Sequence, residues 1–196
     1  MKNKILILFF VISQLLVAQE LKFGQTKGLF MSVGVGPRIP VADLSESHNL
    51  GAGFNAAFTY TDNLVLPIFI KGELGFQHLP GRQNFYKSSD YSSISTNLLT
   101  INLGGRYYFP PMVEDVVLLM PILEAGISFG YFETFHQFKA GSGFSNRVEE
   151  EVKAGFQAGI GVSMFLLDVI AYYNYFASKQ FLSFDLRVQI PVFVTF

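Results

Sequence analysis

An all-β chain folded as an eight-stranded antiparallel up-and-down transmembrane β-barrel is the architecture that three features of this sequence require. Period-two alternation recurs eight times, where a helical period does not. The two faces it creates differ sharply, one large and apolar, the other mostly Gly, Ser, Thr, Asn and Gln. The chain is also hydrophobic overall, with mean hydropathy +0.35 and 15% charged residues, against roughly 25% in an ordinary soluble domain. Beyond the N-terminus no apolar run is long enough for a helical span, and the longest, residues 116–123, is cut by Pro121.

The N-terminal residues MKNKILILFFVISQLLVAQE read as a secretory signal peptide over 1–19. Lys2 and Lys4 precede an uncharged apolar run ending at small Ala18. That run of about 14 residues is short of the roughly 20 that cross a bilayer as a helix. The remaining 20–196 are expected to form one domain.

The strands are taken in order. The first, 29–38, sets Leu29, Met31, Val33 and Val35 against Ser32, Gly34, Gly36 and Arg38. The second, 52–61, sets Ala52, Phe54, Ala56, Phe58 and Tyr60 against Gly53, Asn55, Ala57 and Thr59. The third, 68–78, opposes Ile68, Ile70, Leu74 and Phe76 to Lys71, Glu73, Gly75 and Gln77. The fourth, 99–109, opposes Leu99, Ile101, Leu103, Tyr107 and Phe109 to Thr100, Asn102, Gly104 and Arg106. The fifth, 119–131, carries Leu123, Ala125, Ile127, Phe129 and Tyr131 against Glu124, Gly126, Ser128 and Gly130. The sixth, 152–166, alternates from Val152 to Met164 against Lys153, Gly155, Gln157, Gly159, Gly161 and Ser163. The seventh, 168–177, is blurred by Tyr172, Tyr173, Tyr175 and Phe176. The eighth, LSFDLRVQIPVFVTF over 182–196, has every even residue apolar. Pro191 lacks an N–H and is expected to leave a gap or bulge in that last ladder.

Connections 39–51, 79–98 and 132–151 read as long polar loops, and 62–67, 110–118 and the join at 167 as shorter turns, as in up-and-down barrels. The short link at 178–181 breaks this pattern. A soluble barrel would need its polar face to be rich in charge, whereas here that face suits a crowded interior. The apolar face therefore points to lipid. Tyr60, Phe109 and Phe196 then fall in a lower aromatic belt and Phe76, Tyr131 and Tyr175 in an upper one. Unpaired backbone groups cost several kcal/mol in hydrocarbon, so the eighth strand must close on the first.

The inward face collects Arg38, Lys71, Arg106, Lys153 and Arg187 against Glu73, Glu124, Asp168 and Asp185. Near balance in a narrow lumen points to a salt-bridged filling rather than an acid–base pair, and eight strands leave room only for side chains. His48, His78 and His136 read as loop or interfacial residues. A carboxylate run at Glu149, Glu150 and Glu151 reads as a solvated face, and the Gly-x-Gly pairs lie inside strands, away from any strand-to-helix turn. No catalytic residue, cofactor or metal is expected. The formal charge of −1 becomes about −3 without Lys2 and Lys4, so there is no basic footprint for nucleic acid. The absence of cysteine excludes disulfides, thiolate catalysis and a lipoprotein anchor.

The signal ending LLVAQ, the segment GVGPRIPVADLSESHNLGAGF and the terminal aromatic Phe196 resemble the small eight-stranded outer-membrane barrels of Bacteroidota called PorT-like, and more broadly OmpA- and OmpX-like barrel domains. The resemblance spans the mature chain, and its motifs are architectural. It implies residence in a Gram-negative outer membrane after export by the general secretory route. It also implies recognition of the last strand and Phe196 by the barrel-assembly machinery, and a secretion-accessory role. Lipid A deacylases of similar size use a close His-x-Ser, and none of the three histidines has one. Lipid surrounds the expected barrel, and its outer loops, notably 82–96 with Tyr, Ser and Asn, are the place for a protein partner.

Overall fold

The computed structural model describes residues 27–195 apart from 63, 64, 66, 113–118 and 165. The signal segment 1–19 and Phe196 lie outside the described residues. Eight strands form a closed barrel in sequence order: β1 (Lys27–Val41), β2 (Gly51–Asp62), β3 (Ile68–Pro80), β4 (Tyr91–Tyr108), β5 (Leu119–Phe138), β6 (Arg147–Met164), β7 (Leu167–Phe176) and β8 (Lys179–Thr195). Every neighbouring pair is antiparallel, and β8 pairs with β1. Two short helices, α1 (Leu44–Ser47) and α2 (Gln83–Ser88), lie in the upper connections, at the end opposite Lys27 and Thr195.

Burial is inverted relative to a soluble protein. Val35, Leu74 and Ile160 are 56%, 59% and 67% exposed, while Arg106, Asp168 and Arg187 are at most 1% exposed. An apolar outer wall around a charged interior is stable only with hydrocarbon outside, where the wall loses nothing and the backbone is satisfied by ring closure. The fold is therefore an eight-stranded antiparallel transmembrane β-barrel.

The upper connections differ from the expected loops, because three strands run further than their apolar faces indicate. Half of 79–98 and most of 132–151 is strand: β4 begins at Tyr91, β5 continues to Phe138 and β6 starts at Arg147. Above the lipid the outward positions become polar, as in Ser93, Ser95 and Asn97, while inward Ile94 and Leu98 become the buried apolar ones. The pattern reverses while the period persists. A β4–β5–β6 wall thus stands above the rest of the barrel.

Pro191 does sit at an irregularity. Leu29 pairs with Phe193 and Phe30 with Pro191, so Val192 is an extra residue in β8. Directly opposed residues share a face. The lipid-facing role of the even residues therefore holds from Leu182 to Ile190 and then changes, placing Phe193 on the face of Leu29 and Val194 opposite Gly28.

Inside, three layers fill the barrel. Low in the lumen Phe69 contacts Phe30 and Tyr108, with ring centroids 6.1 and 4.9 Å away, and Tyr108 packs on Ile122, Ile170 and Tyr172. Charged groups occupy the middle. Leu44, Leu79, Leu98, Phe132, Phe176 and Phe181 form an apolar layer above them.

Candidate functional site

The middle layer is one connected network. Alternation carries Arg38 from β1, Lys71 and Glu73 from β3, Arg106 from β4, Glu124 from β5, Asp168 from β7, and Asp185 and Arg187 from β8 to the barrel axis. Arg38 Nη1 lies 2.6 Å from Asp185 Oδ1, and Arg187 contacts both Asp185 and Glu73. Lys71 Nζ bridges Glu73 at 2.7 Å and Glu124 at 2.5 Å. Arg106 joins Glu124 through Nε at 2.5 Å and Asp168 through Nη1 at 2.7 Å. Four cations face four carboxylates, so the buried layer is formally neutral.

Lys153 does not belong to this layer. It faces inward but sits at the upper mouth, 3.4 Å from Glu151 and donating to the Ala177 carbonyl at 3.1 Å. Height along a strand depends on register, which alternation does not reveal. Several neutral members were also not foreseen. Tyr172 Oη donates to Glu124 at 2.8 Å, Asn102 Nδ2 to Glu73 at 2.8 Å and Asn55 Nδ2 to Asp185 at 2.7 Å. Gln189 Oε1 accepts from Arg106 at 2.9 Å. The polar inward positions of the second, fourth and eighth segments could have indicated Asn55, Asn102 and Gln189. Tyr172 was hidden among flanking aromatics.

Glycine makes room for these large side chains. A Cβ at Gly34 would lie 2.6 Å from Arg187 Cγ, and one at Gly159 2.2 Å from the Tyr172 ring. A mid-lumen void against Lys71, Asn102, Glu124 and Gln157 measures about 10 Å³, room for about one water.

The upper mouth holds a second constellation. A cavity of about 350 Å³ is lined by the side chains of α1, the β4–β5–β6 wall and the β7–β8 turn. His48 and His136, expected in separate loops, both border it, while His78 lies on the outer surface against Asn97. His48 Nδ1 meets Ser47 Oγ at 2.9 Å and Nε2 meets Thr96 Oγ1 at 2.9 Å, with Thr134 Oγ1 a further 2.9 Å beyond. His136 Nε2 meets Glu149 at 2.9 Å and Nδ1 meets Tyr91 Oη at 3.2 Å. Lys179 Nζ binds Glu151 at 2.6 Å and stands 4.8 Å over the Phe132 ring. Burial, aided by the Lys179 charge, pushes the His48 pKa down to about 4, so it is neutral near pH 7.

The fold and this interior define the class, a small transmembrane β-barrel with a filled, charge-compensated lumen. No family model matches the chain, and no curated protein matches it in sequence. Among solved structures it is similar to the attachment invasion locus protein Ail of Yersinia pestis. Identity is 9% and the TM-score 0.48, over 86% of this chain and 100% of that one. It is also similar to Neisserial surface protein A, with 12% identity and TM-score 0.48 over 84% and 97%. The N-terminal β-barrel domain of Pseudomonas aeruginosa OprF gives 14% identity and TM-score 0.43 over 85% and 99%.

Proposed function

We propose that this protein is an integral, non-enzymatic and non-conducting barrel of a Gram-negative outer membrane, acting as a structural or interaction protein through its upper mouth. The observation that carries the reading is the neutral network of four cations and four carboxylates, each already paired across the lumen. Such a layer supports a filled lumen without acid–base or conducting chemistry. Partner-facing chemistry is left to the mouth and to the projecting β4–β5–β6 wall. Crosslinking in native membranes tests this, with a reproducible protein partner expected and none across several chemistries counting against it.

A rim-located lipid-modifying enzyme is the second reading, and the meeting of His48 and His136 with Ser47, Thr96, Thr134 and Glu149 favours it. Against it, Thr96 is fully buried, and the Ser47 hydroxyl is engaged by the ring of its sequence neighbour His48. Mass spectra of lipid A with and without expression should be identical under the non-enzymatic reading.

Export through the general secretory route and a PorT-like, secretion-accessory role belong to the same proposal, supported by the charged-then-apolar leader and by the sequence resemblance. Recognition by the barrel-assembly machinery is assigned to the end of β8 and Phe196. Deleting Phe196, or F196D, is expected to lower the fraction of heat-modifiable barrel in membranes, and undiminished assembly would remove that role.

A further inference from the structure

The geometry points to the upper mouth as a binding site for a short glycan, a neutral or amine-bearing mono- or disaccharide. It rests on the reading of this mouth as the interaction surface and adds the chemistry of its ligand. Three observations carry it.

The first is the cavity itself. At about 350 Å³ it falls within the roughly 300–1,000 Å³ of small-molecule pockets. Its floor is closed by the Leu44–Leu98–Phe132 layer, so it is a cup rather than a channel. The second is its lining. The hydroxyls of Ser47 and Ser178 and the carboxylates of Asp43, Glu149 and Glu151 offer donors and acceptors at its surface, backed by the buried, hydrogen-bonded Thr96, Thr134, His48 and His136. That is the complement of a polyol, which presents a hydroxyl on almost every carbon. The charge balance selects among polyols. Lys153 and Lys179 are both engaged by Glu151, whereas Glu149 is held by His136 and stays 45% exposed. The uncommitted charge is negative, so a neutral or ammonium-bearing sugar is favoured over a sulfated or carboxylated one.

The third observation is a ladder of rings that climbs from the cup. Tyr91 touches His136 at 5.7 Å between centroids and then continues the series to Phe85 at 5.2 Å, Phe138 at 4.6 Å and from there to Phe144 at 5.2 Å. Phe144 is 62% exposed. The ladder lies on α2, on the tops of β4 and β5 and in the 139–146 connection, above the lipid-facing band. Belt residues have no reason to be there. The electron-rich ring face accepts the polarised C–H groups on the apolar side of a sugar ring, and a row of faces leading into a hydroxyl-lined cup guides such a ligand inward.

Saturation-transfer NMR on the full barrel folded in detergent tests this, with chitobiose, its de-acetylated diamine and a sulfated disaccharide as probes. The first two are expected to show transfer to their ring C–H protons, and the sulfated sugar much less. Y91A and E149Q should each weaken binding about tenfold, the loss of one stacking face or one charge-assisted hydrogen bond. H78Q, on the outer surface, should leave binding unchanged. Heat-modifiable migration confirms that each variant is folded. No transfer from any probe to the wild-type barrel, a preference for the sulfated sugar, or unchanged binding in both folded variants would each overturn the assignment. None of these results would alter the crosslinking outcome that tests the interaction role. A core oligosaccharide from the expressing strain, run beside chitobiose, distinguishes a ligand on the cell's own surface from a foreign glycan.

Discussion

Glu124 is where the lumenal network converges. It receives Lys71, Arg106 and the Tyr172 hydroxyl, and Arg187 lies 3.8 Å away. Removing a carboxylate from such a site leaves buried cations uncompensated, which costs about 3–5 kcal/mol. E124A is therefore expected to lower the unfolding free energy, read from urea titration of the barrel in lipid vesicles, by that amount. K153A should change it by less than about 1 kcal/mol, because its contact with Glu151 lies at the wetter mouth. Equal effects from the two would show that depth in the lumen is unimportant. His48 supplies a second residue-scale outcome, with a definite sign. Its folded pKa of about 4 lies below the ordinary 6.5, so above pH 6.5 both states are neutral and it adds no pH dependence. As pH falls from 6.5 to 4 the exposed histidine takes the proton first, and burial of the α1 segment loses up to about 3 kcal/mol. Proteolysis of the 42–50 connection should accelerate over that window in the wild type and much less in H48Q. The residue types of the network could be read from alternation alone. Tyr172 could not, since aromatics occupy both faces of β7.

At the scale of elements, closure is decided at the β1–β8 seam. Alternation displayed all eight strands, because side-chain direction has a period of two whatever the tertiary fold. Register was not visible, and that is why Lys153 was grouped with residues well below it and why the lower end of β8 was assigned the wrong face. The upper strand extensions were missed for a related reason, since an apolar-outside pattern exists only where lipid is. The bulge gives a direct test. Phe193 already opposes Leu29 and Thr195 already opposes Lys27, with Val192 left over. Deleting Val192 should preserve every cross-strand pair and the heat-modifiable fold. Deleting Val188 should instead shift the register on one side of the cut, turning lumenal Arg187 and Asp185 or the residues beneath them toward lipid. Assembly should then fall to a small fraction of wild type, as measured by gel migration from membrane fractions. If both deletions behave alike, the extra residue is not a bulge.

For the whole molecule, the consequence of the three interior layers is a closed lumen. An ion crossing it would meet the Phe30–Phe69–Tyr108 group, then the neutral charge layer, then the Leu79–Leu98–Phe132–Phe176–Phe181 layer. Each apolar layer strips hydration without replacing it, and the penalty for a bare charge is several kcal/mol even after relaxation. Hydrophobic constrictions can act as barriers by dewetting. Planar bilayers containing the protein should accordingly show no steady conductance steps. Loss of one layer should not change that: E124Q leaves both apolar layers in place, and F132A with F176A leaves the charge layer beneath intact. Even the combination leaves the Phe30–Phe69–Tyr108 group across the lumen, so brief openings are expected only when that group is truncated as well. Steady steps from the wild-type protein would mean that the layers part in the membrane, and the closed lumen would have to be abandoned.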